Sequence, residues 1–188
     1  MKKSPYIVIH LAKNNNFLLR YKSVRDHNDD FIMVILFREP LAHASSLMEK
    51  HHEYRALQKE DPFVLEYMNW LGHHEFGENQ LTFLFGEAEE SIREDRDSLD
   101  FWLKIWINYY SHVLTTSHPN TLRINYEFYC KNPNETIKAI LGKKGISSDH
   151  TDYKPFPGRR KADSGFSAYI YKTAQEVYAQ LNRDSFPS

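Results

Sequence analysis

Apolar and polar positions along this chain fall into short continuous blocks and longer stretches of helical spacing. The clearest block is residues 31–37, FIMVILF, set between the polar DHNDD and Arg38. Its length and β-branched content predict a strand buried on both faces. A shorter block, residues 6–12 (YIVIHLA), predicts a second buried strand. Between them, Lys13 and three asparagines read as a turn. Phe17, Leu18, Tyr21 and Val24 then recur at helical spacing and predict a helix over 16–26. Strand, helix and strand of these lengths predict a parallel βαβ unit.

The pattern continues beyond Arg38. Glu39-Pro40 suits a helix start, because proline's missing N–H is not needed in a first turn. The helix carries Leu41, Ala44, Leu47 and Met48 on one side, and its far end, EKHHEYRALQKED, reads as solvated. Asp61-Pro62 restarts a helix that Gly72 ends, and HHEFGEN is a loop. Residues 81–85 are either a strand or a buried loop, and 87–100 are acidic and read as solvated. Leu99, Trp102, Leu103, Trp106, Tyr110 and Val113 predict an amphipathic helix with both tryptophans in the core, broken by His118-Pro119-Asn120. Residues 122–126, LRINY, predict a strand; Asn132-Pro133 opens a helix to 141; a polar connection and the basic PFPGRRKADSGF lead to a helix over 166–181.

Composition narrows the class. A chain of 188 residues is one α/β domain, 1–188, by default. Its 14% aromatic content allows a large core. A net charge of −1 gives no reason to expect a nucleic-acid partner. The single cysteine, Cys130, excludes an internal disulfide framework and suits a reducing compartment. No apolar run approaches the roughly 20 residues that span a bilayer, and the 6–12 run is short for a secretory core. A soluble, cytoplasmic protein is the expectation.

Arg38 stands at the carboxyl end of the predicted strand, where open α/β sheets bind ligands. A helix N-terminus favours an anion there, and a guanidinium adds a bidentate grip on phosphate or sulfate. Ser46, eight residues on, offers a hydroxyl to the same anion. The ten histidines raise a metal reading: His43 and His51 share a helix, and His51-His52 and His73-His74 are adjacent pairs. No HExxH occurs and adjacent histidines on a helix diverge, so no metal is expected.

With these residues in hand, the chain resembles the C-terminal two-thirds of a sulfotransferase that uses 3′-phosphoadenosine 5′-phosphosulfate (PAPS). Four segments carry the likeness in the family's order: HLAKNNN, FIMVILFREPLAHASS, LRINYEFYCKNP and GRRKADSGFS. They span most of residues 6–180, and HHEFG is similar to a bacterial branch. The resemblance implies a partial P-loop-like three-layer α/β/α sandwich with a parallel sheet. It implies that Arg38 and Ser46 hold the donor's 3′-phosphate, and that Arg159, Arg160 and Lys161 close over the nucleotide. The reaction implied is sulfuryl transfer to a hydroxyl or amine of a small-molecule, carbohydrate or lipid acceptor.

The family also has a strand followed by a loop like PKSGTT, whose backbone N–H groups cradle the 5′-phosphosulfate. No such loop precedes Tyr6, and no GxxxxGK[ST] occurs elsewhere. The sequence is therefore truncated, completed by another chain, or that of a protein that no longer catalyses. The last case is a non-catalytic remnant or nucleotide-binding module. Its open sheet edge would invite self-association. The absent phosphate loop also weakens a kinase-like alternative.

Sulfuryl transfer needs charge neutralised on the leaving phosphate, a proton taken from the acceptor, and in-line geometry. His10 is the candidate base; its plainer reading is a histidine packed within a strand. Lys13 is the candidate for the bridging oxygen, or else a surface lysine. His73, His74 and Glu75 line an acceptor pocket or simply form a loop. Arg159, Arg160 and Lys161 grip the donor or form a solvated charge run. Glu127 orients the site or anchors its own loop.

Overall fold

A computed structural model of the protein describes residues 12–13, 17–28, 30–86, 92, 95–116, 119–147, 152–157 and 165–186. The chain falls into two compact units, Met1–Phe31 and Ile32–Ser188.

In the first unit, α1 (Phe17–His27) buries Leu18 and Tyr21. The Phe31 ring lies edge-on to Phe17 and Tyr21, with centroids 6.2 and 6.0 Å away. The helix expected over 16–26 is thus present, one residue later. The expected strand at 6–12 lies outside the described residues apart from Ala12, which is exposed and in no regular element.

The second unit is mixed α/β and mostly helical. Its strands, β1 (Met33–Phe37) and β2 (Thr121–Asn125), pair in parallel from Met33↔Thr121 to Phe37↔Asn125. Burial of β1 on both faces is corrected: Met33, Ile35 and Phe37 are buried, but Val34 and Leu36 are 42% and 47% exposed. In-register parallel neighbours point the same way, so Val34 and Leu36 share a face with Leu122 and Ile124. Those two β2 residues are buried. An apolar run permits two-sided burial, but only packing decides what covers each face.

The helices follow their sequence signals. In α2 (Pro40–Glu60) the Glu39 carboxylate caps the first turn. Asp61 then caps α3 (Pro62–Leu71), accepting the Phe63 N–H at 3.0 Å, and Gly72 closes it at φ 68°. The α4 helix (Leu99–Thr115), capped by Ser98, buries all six expected apolar residues. It packs on α2 and on α7 (Ala168–Arg183). Tyr126 does not end β2 but opens the short α5 (Tyr126–Lys131), because the Asn125 side chain caps it through the Phe128 N–H. Pro133 starts α6 (Pro133–Gly142). Residues 81–85 form a loop, in which the Asn108 carboxamide pairs both backbone groups of Phe85 at 3.0 and 2.8 Å.

A further correction concerns the distal half of α2. His51 and Gln58 are buried there, not solvated. The loop after α3 folds back onto them. The Gly77 N–H donates to His51 Nδ1 at 3.2 Å, and the Glu78 N–H donates to Gln58 Oε1 at 2.7 Å. Gly77 sits at φ 91°, and a Cβ there would collide with the Gln58 carboxamide. The glycine of HHEFG is thus favoured by its left-handed backbone, with the Gln58 carboxamide having to shift for any larger residue.

Candidate anion site at the carboxyl ends of the strands

Both strands end in polar groups that bind one another. Asn125 Nδ2 donates to Tyr178 Oη at 2.9 Å and to Asn182 Oδ1 at 2.6 Å. The Tyr178 hydroxyl donates to Glu127 Oε2 at 3.1 Å, and Glu127 Oε1 accepts the Glu39 N–H at 3.2 Å. Glu39 in turn accepts the Ala42 N–H at 2.7 Å and the Tyr171 hydroxyl at 2.8 Å. These bonds tie β1, α2, α5 and α7 together around the strand ends. Glu127 therefore does more than anchor its own loop: it fixes the turn that carries Arg38.

Arg38 leaves β1 at this rim. Its side chain is only 16% exposed, with Cζ 5.3 Å from the centre of the Tyr126 ring. Its Nε lies 3.9 Å from Glu127 Oε1, beyond hydrogen-bond length. At that distance the pair attracts through charge alone. Beside it opens a cavity of about 350 Å³ lined by Arg38, His43, Ser46, Lys50 and Tyr126, with Leu36, Phe37 and Leu47 as apolar wall. Arg38 and Ser46, eight residues apart in sequence, therefore face one space.

The helix N-terminus itself is not the anion site, because the Glu39 carboxylate already takes an amide of the first turn. The cavity lies along the helix flank instead. His43, Ser46, Leu47 and Lys50 follow the i, i+3, i+4, i+7 spacing that stacks side chains on one helical stripe. That stripe was readable in the sequence. Around the cavity it adds Lys50 to Arg38 and Ser46, and there it sets His43 apart from the other histidines.

His43 is the least ordinary group in this space. Its Nδ1 is buried and, among the described residues, has no hydrogen-bond partner. Burial, and secondarily the Arg38 charge, lower its pKa to about 4, so the ring is neutral at pH 7. The Tyr110 ring lies 6.1 Å away, and its hydroxyl donates to the Leu36 carbonyl at 2.9 Å. Burial pushes that phenol far up. Lys50 is half exposed and bonds Glu53 at 2.6 Å, so its ammonium is shared with a neighbour.

The other residues singled out in the sequence lie elsewhere. His73, His74 and Glu75 sit in the loop after α3 and do not line the Arg38 cavity. His73 pairs with Glu75 at 3.4 Å, while His74 Nδ1 meets Asn79 Nδ2 at 3.1 Å. Lys13 is exposed in the N-terminal unit. His10 and the Arg159, Arg160, Lys161 cluster lie outside the described residues. Among the described residues, no group of three or more His, Cys, Asp or Glu could hold a metal ion. No described helix is long and apolar enough to cross a membrane. Compared with protein-family models, curated proteins and solved structures, the chain matches none.

Proposed function

We propose that this is a sulfotransferase-related protein, a partial three-layer α/β/α fold, whose Arg38 cavity takes the 3′-phosphoadenosine end of PAPS. One observation carries the reading: a largely buried guanidinium at the carboxyl end of a parallel strand opens, with Ser46, onto a cavity of about 350 Å³. A guanidinium and a hydroxyl converging there match the donors a phosphomonoester needs. In the complete reaction the bond from sulfur to the donor's bridging oxygen breaks. A new bond forms from sulfur to the acceptor oxygen or nitrogen, and adenosine 3′,5′-bisphosphate leaves. By the resemblance, His10 would take the acceptor proton, Lys13 would steady the bridging oxygen, and Arg159, Arg160 and Lys161 would cover the nucleotide. Calorimetry with adenosine 3′,5′-bisphosphate tests the donor site. Binding is expected, with Arg38→Ala weakening it at least about tenfold, the loss of one charge-assisted pair. No heat at millimolar ligand overturns the proposal.

A second reading, nucleotide binding without transfer, draws on the cavity lining. Among the described residues, the cationic side chains around it are Arg38 and Lys50, and Lys50 is bonded to Glu53. That charge suits one phosphate, not a phosphate and a phosphosulfate together. Incubation with PAPS and a phenol, carbohydrate or amine acceptor separates the two readings by whether labelled sulfate moves.

A further inference from the structure

We propose that the uncharged His43 imidazole is a ligand contact in the Arg38 cavity, its Nε2–H donating to the phosphate that Arg38 and Ser46 hold; the inference rests on the nucleotide reading above. Three observations lead to it. His43 lines the cavity together with Arg38, Ser46 and Lys50. Its Nδ1 is shielded from solvent and, among the described residues, has no hydrogen-bond partner. Arg38 stands close enough to disfavour a positive ring.

These facts fix which nitrogen carries the proton. A buried N–H with no acceptor is among the rarest defects in folded proteins. An unshared electron pair is the better tenant of a shielded, unpartnered position, and the positive charge that Arg38 sets against the ring acts in the same direction. With Nδ1 unprotonated and the ring neutral, the single proton sits on Nε2. The ring then enters the cavity stripe as a neutral donor, one turn before Ser46 on the same helical face. A phosphate bound there meets a guanidinium, a hydroxyl and an imidazole N–H. It gains the third contact without a third positive charge that Arg38 would repel. The ligand class is a phosphomonoester; an acceptor-poor apolar molecule would leave all three donors unmet.

The test has one arm that needs no ligand and two that do. Nitrogen–proton correlation spectra of the imidazoles at pH 7 should show His43 as the Nε2–H tautomer, and a proton on Nδ1 overturns the proposal. Calorimetry then compares the unaltered protein with Arg38→Ala, His43→Leu and His43→Gln, using adenosine 3′,5′-bisphosphate and, separately, inorganic phosphate. The expected result is a loss of about five- to tenfold for His43→Leu with both ligands. His43→Gln, whose amide can donate from near the Nε2 position, should recover to within about twofold. A purely structural histidine would show no such recovery, and melting curves confirm that both variants fold. If Arg38→Ala weakens binding but His43→Leu does not, the phosphate site stands and the His43 contact falls. If His43→Leu affects only the nucleotide, the ring touches the nucleoside, and the contact as proposed is wrong. If the unaltered protein binds neither ligand, the donor-site reading and this contact fall together, while the tautomer result still reports on the ring.

Discussion

The two ends of α2 hold histidines in opposite circumstances. At the distal end, His51 is buried and its Nδ1 accepts the Gly77 N–H at 3.2 Å. Burial lowers its pKa, and the loop after α3 closes around it. At the proximal end, His43 has a shielded Nδ1 with no partner among the described residues and lines a cavity. One imidazole completes the fold's own hydrogen bonding; the other has no protein bond at that atom and faces space for a ligand. Histidine count and spacing, which first suggested metal, do not distinguish them. The partner each ring meets does.

That contrast can be broken at several points. The largest effect is expected from Gly77→Ala, which forces a side chain into a left-handed backbone and against the Gln58 carboxamide. Strain and the disturbed Gln58 bond together should cost about 3 kcal/mol by denaturant titration. Adenosine bisphosphate binding in the surviving folded fraction should not change.

Acid comes next. Both rings have folded pKa values below the free one, so the unfolded chain takes up their protons first. Their contribution is present above a pH of about 6.5 and is lost as pH falls toward the folded values. With His43 lowered from 6.5 to about 4, it should account for about 2 kcal/mol of stability lost between about pH 7 and about pH 5. Paired unfolding curves at those two pH values, with and without His43→Leu, check this; an unchanged pH slope in the variant would refute it.

The third test compares the two rings directly at pH 7. His51→Leu removes the acceptor of a buried amide and should cost about 1.5 kcal/mol. His43→Leu removes no protein hydrogen bond at Nδ1 and should shift stability by less than about 0.5 kcal/mol. If the two variants melt alike, the distinction between a structural and a ligand-facing histidine is lost.

The smallest effect concerns the ion pairs beside His51. Arg55 meets Asp97 at 2.8 Å and Glu78 at 3.0 Å, and His52 meets the same Asp97 at 3.0 Å. All are at or near the surface, so Arg55→Gln should cost less than about 1 kcal/mol, and less still in high salt.

Much of the fold was legible because its signals are local. Asp61-Pro62, Gly72 and Pro133 start or stop helices where a cap or a fixed dihedral requires. All six residues of the Leu99–Val113 pattern are buried in α4, and the structure adds Phe101. Arg38 and Ser46 were also legible, since a strand-end arginine before a helix start is a sequence pattern. In the sequence, nothing marks His43 out from the other nine histidines. Its significance depends on burial and on Arg38 at close range, neither of which periodicity encodes. Apolar content carries the predicted strand through Tyr126, because it cannot reveal that Asn125 turns to cap a helix.

The amino-acid order by itself determined where elements begin and end, since capping, proline placement and apolar period act over a few residues. Tertiary structure alone decided that β1 buries one face, that the distal half of α2 is covered by a loop some 20 residues further on, and that Glu127, 88 residues from Glu39, holds the turn at Arg38. Those outcomes depend on which distant groups arrive at a given atom. A buried hydrogen bond is made or missed by placement of a fraction of an ångström, and no local pattern carries that information.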